Sequence, residues 1–281
     1  MPRFSSWLQR RRLPAFVILA LAISWSSWPL YAAGLMPRME FLPIGPLAAA
    51  VIVISLAEGR SGFRRWGRRL VRWKVGWGWY AVALLFPACM AVLTGFTNMA
   101  LGAPAPGLAD VTWSGLLLAF AVRLINPLDG PLGEEPGFRG YALPLLQATR
   151  APLQAAALLG LVVALWHLPL VLFGSLSPIG LPTSFVITFF YVWLFNRTGG
   201  SVLLTLLFHN SQGTLTVGSF GFSGADASRA ELIYLVVVIG AVLTTILLDR
   251  NAWRTAPASA ADAGHAMGPG HATTAAPPTP A

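Results

Sequence analysis

Long apolar stretches alternate with short polar segments along most of the chain. Eight of these stretches approach the roughly 20 residues that a helix needs to cross a bilayer. Their approximate bounds are 14–34, 41–57, 77–101, 112–128, 152–173, 183–196, 200–218 and 231–249. The sequence lacks the alternation of lipid-facing and lumen-facing residues that is typical of outer-membrane barrels. The pattern therefore predicts an all-α, polytopic membrane protein with about eight transmembrane helices.

Composition supports this prediction. Of the 281 residues, 56% are hydrophobic and only 10% are charged, whereas a soluble domain carries about a quarter charged residues. We therefore expect a multi-pass protein of the cell membrane. The Arg-rich start also suits a cleaved signal peptide. Trp25, Trp28, Pro29 and the prompt second stretch favour an uncleaved helix instead.

The net charge of +9 is concentrated in clusters that flank the predicted spans. Positive residues occupy the first dozen positions, the block 60–74, and Arg150, Arg197, Arg250 and Arg254. Because positive residues accumulate in cytoplasmic loops, this distribution predicts that both termini lie inside, and it argues against a nucleic-acid partner. The block also interleaves Arg with Trp, as in a helix that binds anionic membrane lipids or in an ordinary interfacial anchor.

The predicted spans and charged segments divide the chain into three parts. Residues 1–111 are predicted to form N-terminal transmembrane helices with a basic cytoplasmic loop, and 112–250 to form the transmembrane core that carries the chemistry. Residues 251–281, rich in Ala and Pro, are predicted to be a disordered tail. Cys89 is the single cysteine, which excludes a disulfide framework and a zinc site made of several cysteines.

Few ionisable groups lie inside the predicted core. Outside the tail, which contains His265 and His271, the histidines are His167 and His209, both within apolar stretches. A carboxylate pair lies between two further apolar stretches, in the segment "GEEPGFR" (133–139). Because charge inside a membrane is costly and usually functional, we expect these three segments to converge and supply one another with polar partners.

Local spacing separates the roles of the two carboxylates. Glu135 and Arg139 are four residues apart and share a helix face, so we expect a structural ion pair between them. Glu134 points about a hundred degrees away from that face. It is therefore the carboxylate that remains available as a general base.

Three segments in this order resemble the CPBP family of intramembrane CAAX proteases and bacteriocin-processing (Abi) proteins, which is related to type II CAAX prenyl endopeptidases. The segments are "PLGEEPGFRGYALPLLQ" (131–147), "LWHLPL" (165–170) and "TGGSVLLTLLFHNSQ" (198–212). The family motifs EExxxR, FxxxH and HxxxN/D are matched here by Glu134, Glu135 and Arg139, then by His167 with Val163 in place of Phe, and then by His209. Position 213 departs from the family because it is Gly.

The resemblance implies an endopeptidase that cleaves a membrane-associated peptide or lipidated protein. Glu134 and His167 would activate a water molecule, and His209 would polarise the peptide carbonyl. Position 213 would assist His209, so the neighbouring Gln212 is a candidate replacement amide. The family is called a metalloprotease family. Glu134, His167 and His209 are able to bind Zn²⁺ or another divalent metal, and they are equally able to hold the water directly.

Two other functions remain open at this point. Gly213 suits a catalytically silent relative that acts as a membrane scaffold or immunity protein. Buried Glu and His side chains also occur in proton and solute transporters, although the sequence has no paired interrupted helices in corresponding halves.

Overall fold

The computed structural model of the chain describes residues 11–35, 41–105 and 112–257, and none of these residues forms a β-strand. The tail histidines and the first ten residues lie outside the described ranges. The helices are α1 Arg12–Trp25, α2 Trp28–Ala32, α3 Gly45–Ala57, α4 Gly59–Leu70, α5 Trp77–Ala100, α6 Trp113–Ile125, α7 Pro131–Gly137, α8 Leu143–Gln147, α9 Pro152–Trp166, α10 Leu168–Leu172, α11 Gly180–Arg197, α12 Val202–Thr214, α13 Gly224–Leu248 and α14 Arg250–Arg254. A π-helix, Phe138–Ala142, joins α7 to α8, and a 3₁₀-helix, Val217–Phe220, follows α12.

Each of the eight predicted apolar stretches contains a helix, so the all-α prediction is confirmed for the described residues. Three helical segments there are long and apolar enough to cross a membrane: Arg12–Ala32, Trp77–Ala100 and Gly224–Leu248. The stretch predicted at 152–173 is divided into α9 and α10, because the helix ends at His167 before the Leu168–Pro169 step.

The buried side chains form two apolar clusters that share α11. One cluster packs α1, α3, the π-helix and α9 around Phe138, Leu159 and Trp166. The other packs α5, α12 and α13 around Phe190 and Phe208. Helix α11 contributes Phe195 to the first cluster and Phe190 to the second, so it forms the seam between them.

Two glycines bring α7 against the start of α3. A Cβ atom at Gly133 would lie 2.6 Å from the carbonyl oxygens of Pro43 and Pro127. A Cβ atom at Gly137 would clash with the carbonyl of Pro46. Because these glycines are one turn apart on the same face, α7 and α3 approach to backbone contact, which fixes the position of α7 and of the carboxylate pair that it carries.

The basic helix α4 packs against the other side of this segment. Trp66 Nε1 donates a 2.8 Å hydrogen bond to the carbonyl of Pro136. At the start of α4, Glu58 forms ion pairs with Arg12 and Arg65 and accepts a hydrogen bond from the hydroxyl of Tyr141. The carboxylate-bearing segment is therefore held on two sides by elements of the predicted N-terminal part.

Candidate active site

A cavity of about 260 Å³ lies beside α11, where the segments that carry the predicted polar residues meet. Its lining is Glu134, Arg139, Val163, His167, Ser184, Ile187, Thr188, Tyr191, His209, Gln212, Gly213 and Thr216. The structure thus brings Glu134, His167 and His209 to one cavity, although they come from three separate stretches of the sequence.

Glu135 organises the side of this cavity behind His209. Its Oε1 atom accepts hydrogen bonds from Arg139 Nη1 at 2.9 Å and from His209 Nδ1 at 3.0 Å. The side chain of Glu135 is fully buried and that of Arg139 is 2% exposed. The predicted ion pair is therefore present. The same carboxylate also orients His209, with Nε2 directed away from Glu135. The local spacing of Glu135 and Arg139 does not predict this second contact.

A backbone contact orients His167. Its Nδ1 atom lies 2.8 Å from the carbonyl oxygen of Val163. Since a carbonyl oxygen only accepts, Nδ1 carries the proton, and Nε2 of the neutral ring is left as an acceptor. The ring of Phe41 stacks on the imidazole, and the ring of Trp166 contacts it in a T-shaped arrangement.

Glu134 and His209 face a common space next to Gly130. A Cβ atom at Gly130 would lie 3.2 Å from Glu134 Oε1 and 3.6 Å from His209 Nε2. Gly130 also has a φ of +68°, a conformation that favours glycine. The absence of a side chain at this turn therefore keeps open the space in which the carboxylate and the imidazole meet.

Tyr191 supports the opposite wall. Its ring lies under the Arg139 guanidinium, with Arg139 Cζ 4.1 Å from the ring centroid, and it packs edge-on against His209. Its hydroxyl donates a 2.7 Å hydrogen bond to Gln212 Oε1. Gln212 Nε2 in turn donates to the hydroxyl of Tyr234. Gln212 thus lines the cavity as expected, and its amide binds both tyrosines, Tyr191 through Oε1 and Tyr234 through one of the two Nε2 hydrogens.

The predicted donor set does not form a metal site in this arrangement. Among the described residues, no group of three His, Cys, Asp or Glu side chains lies close enough together to hold a metal ion. Glu134, His167 and His209 line one cavity, and the chemistry below is derived from these side chains alone.

Sequence reasoning missed three residues of this region: Gly130, Tyr191 and Arg123. Arg123 lies in the middle of a predicted span and forms an ion pair with Asp129. A charge inside an apolar stretch is usually functional, and this argument applies to Arg123 as it does to the segment "GEEPGFR". Tyr191 belongs to an aromatic run that is typical of ordinary packing, and its sequence context carries no signal of a polar contact.

Part of the chain matches a known family. Residues 113–215 match a family model described as type II CAAX prenyl endopeptidase Rce1-like. The matched segment contains every cavity-lining residue except Thr216. No curated protein matches the chain.

Proposed function

We propose that the chain, whose segment 113–215 matches the type II CAAX prenyl endopeptidase Rce1-like family model, hydrolyses a peptide bond at the cavity between Glu134, His167 and His209. The observation that carries this proposal is the shared space of Glu134 Oε1 and His209 Nε2 beside Gly130. A carboxylate base and an imidazole that face one small space are the groups required to add water to a carbonyl.

In the first step, Glu134 removes a proton from water while the water oxygen bonds to the carbonyl carbon. The lone pair of His167 Nε2 accepts a hydrogen bond from the second hydrogen of the water, which stays on the oxygen, and so orients the water. The π electrons of the carbonyl move to its oxygen. His209, protonated on Nε2, donates to that oxygen, and the Glu135 carboxylate at Nδ1 compensates the charge of the imidazolium.

In the second step, the tetrahedral intermediate collapses. The carbonyl reforms, the C–N bond breaks, and Glu134 returns its proton to the leaving nitrogen. The products are a new carboxyl terminus and a free amine. Each group ends in its starting protonation state apart from the ionisation of the products in water.

For the substrate, we propose a membrane-associated peptide or lipidated protein with an apolar segment. A second cavity of about 320 Å³ adjoins the first and shares Ser184, Gln212 and Thr216 with it. Leu176, Ile179 and Phe222 contribute apolar surface to its wall. An apolar segment in this second cavity would present a neighbouring peptide bond to the first.

The test is cleavage by the purified full-length chain in lipid nanodiscs. Prenylated peptides with a C-terminal CAAX sequence and unmodified membrane peptides are incubated with the wild-type chain and with Glu134→Gln, and mass spectrometry detects new termini. We expect products from the wild-type chain only. Products that persist with Glu134→Gln, or no products from any peptide, would contradict the proposal.

A catalytically silent scaffold or immunity protein is the second candidate, and Gly213 is the observation that favours it. A scaffold needs the fold but not the base. A cellular phenotype that Glu134→Gln preserves would therefore support the scaffold, whereas a protease loses its phenotype with this variant.

We also propose that the eight apolar helices cross the cell membrane with both chain ends inside. Segments predicted to be cytoplasmic contact one another at one end of the bundle: Ser201 binds the carbonyl of Arg72, Gln147 binds Asn196, and Asn196 binds the carbonyl of Ala252. In a Cys89→Ser background, Ser61→Cys should be protected from an impermeant maleimide in intact cells, and Ala225→Cys should react. The reverse labelling would overturn the orientation.

A further inference from the structure

Gly213 leaves a gap in α12 that a residue from another helix fills. Position 213 is one turn after His209 and lines the cavity. A Cβ atom there would lie 2.5 Å from Cζ and 2.9 Å from Nε of Arg123, and it would clash with Nη2. The guanidinium of Arg123, from α6, thus stands where a side chain at 213 would begin.

Two further contacts hold Arg123 in this place. Its Nη1 atom donates a 2.8 Å hydrogen bond to Asp129 Oδ1. One turn earlier on both helices, Asn210 Nδ2 donates a 2.9 Å hydrogen bond to the carbonyl of Phe120. The contact between Phe120 and Asn210 and the contact between Arg123 and Gly213 together fix α6 and α12 against each other next to the cavity.

The guanidinium retains unused hydrogen-bonding capacity. Its Nε atom is buried and has no hydrogen-bond partner among the residues of the described ranges. Arginine stays protonated in proteins, and buried donors without a partner are uncommon in native structures. The guanidinium beside Gly213 therefore still has a donor without an acceptor in the described part of the chain.

We propose that Arg123 is a further catalytic residue, which donates to the carbonyl oxygen of the substrate together with His209 and replaces the side chain that is absent at position 213. This inference rests on the proposed peptide hydrolysis. The guanidinium lies where a side chain at the cavity-lining position 213 would begin, one turn after His209, so it is the cationic donor next to the side of the cavity that His209 occupies. A cationic donor is suited to the negative charge that this oxygen acquires in the intermediate.

A purely structural role makes different predictions. If Arg123 only braces the 126–130 turn through Asp129, neutralising Asp129 should harm activity as much as removing Arg123. If Arg123 only fills space beside Gly213, an apolar side chain at 213 should compensate for its loss. The experiment separates these roles from charge stabilisation.

The kcat and KM values are measured in nanodiscs with a peptide that the wild-type chain cleaves and Glu134→Gln does not. The variants are Arg123→Ala, Arg123→Met, Asp129→Asn, and Arg123→Ala combined with either Gly213→Asn or Gly213→Leu. Asn restores an amide donor at 213, and Leu fills a similar volume without one. Arg123→Met keeps the packing of the long side chain and replaces Arg123→Ala as the single variant if the latter does not fold.

We expect removal of Arg123 to lower kcat by about 10²–10³-fold, as for the loss of one oxyanion donor, with KM changed by less than about threefold. Gly213→Asn should recover about tenfold or more of the lost kcat, and Gly213→Leu should recover none. Asp129→Asn should stay within about fivefold of the wild-type kcat.

Three results would overturn the inference while leaving the proposed hydrolysis intact. These are an undiminished kcat without Arg123, equal recovery by Leu and Asn, and a loss in Asp129→Asn that matches the loss in Arg123→Ala. A wild-type chain that cleaves no peptide overturns the proposed function itself, and this inference with it.

Discussion

Glu135 and His209, which are 74 residues apart in the chain, are joined by a 3.0 Å hydrogen bond between Glu135 Oε1 and His209 Nδ1. The same oxygen accepts from Arg139. The carboxylate therefore connects the first polar segment to the third and sets the orientation of the imidazole that faces the cavity.

This connection predicts different consequences for the two adjacent carboxylates. Glu135→Gln leaves Arg139 as a buried charge without its partner, a change that typically costs about 3–5 kcal/mol. Glu134 forms no ion pair among the described residues, so Glu134→Gln should cost less than about 1 kcal/mol. Thermal unfolding of the purified variants measures both effects.

Both variants should be inactive, so stability distinguishes their roles. Equal melting temperatures for Glu134→Gln and Glu135→Gln would show that Glu135 does not have the structural task assigned to it.

Gly130 offers a test of the open space beside Glu134, with Gly221 as a control of the same φ, +68°. An alanine at Gly221, whose ψ is +17°, should cost about 1–2 kcal/mol in backbone strain. An alanine at Gly130, whose ψ of −83° lies outside the left-handed helical region, should cost more. A Cβ atom at 221 meets nothing within 4 Å, whereas one at 130 lies 3.2 Å from Glu134 Oε1. We expect Gly130→Ala to lose cleavage by more than about tenfold.

Gly221→Ala should retain wild-type cleavage at a temperature where both variants are folded. A similar loss of activity in the two variants would attribute the effect of Gly130→Ala to strain and not to the blocked space.

The role of Gln212 is also open to measurement. Because both ends of its amide are bound to tyrosine hydroxyls and so direct it towards Tyr191 and Tyr234, Gln212→Ala should lower kcat by less than about tenfold, well below the loss expected for an oxyanion donor. Tyr191→Phe removes the hydroxyl that Gln212 accepts and should have a comparably small effect. A 10²-fold loss in Gln212→Ala alone would assign the donor role to Gln212 after all.

Metal removal tests the arrangement of Glu134, His167 and His209. Since no three metal-binding side chains of the described ranges converge, we expect cleavage to survive dialysis against a chelator, with little Zn²⁺ in the purified protein by elemental analysis. Activity that disappears on chelation and returns with Zn²⁺ would show instead that these side chains move together around a metal.

Local chemistry made part of this site predictable. The Glu135–Arg139 pair follows from helix periodicity, and the apolar stretches predict the helices because the chain has few charges to place. The scarcity of ionisable groups in the predicted core singles out His167 and His209, and the cost of buried charge predicts that they meet the carboxylates.

Contacts between distant elements were beyond the reach of the sequence. The contact of Arg123 with Gly213 requires the packing of α6 on α12, and neither helix carries a pattern that specifies its partner. The roles of Gly130 and Tyr191 likewise depend on what lies across the cavity. Adjacency in the sequence makes Gln212 a candidate substitute for the missing side chain at 213, whereas in the structure the Arg123 guanidinium, from another helix, lies beside Gly213.

The outer surface of the bundle is covered by exposed leucine, isoleucine, valine and phenylalanine side chains, such as Leu85, Phe96, Leu117 and Leu247. Lipid tails are as apolar as these residues, so exchanges among them change little in free energy. Most positions on the outer surface should therefore accept any hydrocarbon side chain. The few polar positions in the interior should accept almost no replacement. Divergent relatives of this chain would share little beyond that interior.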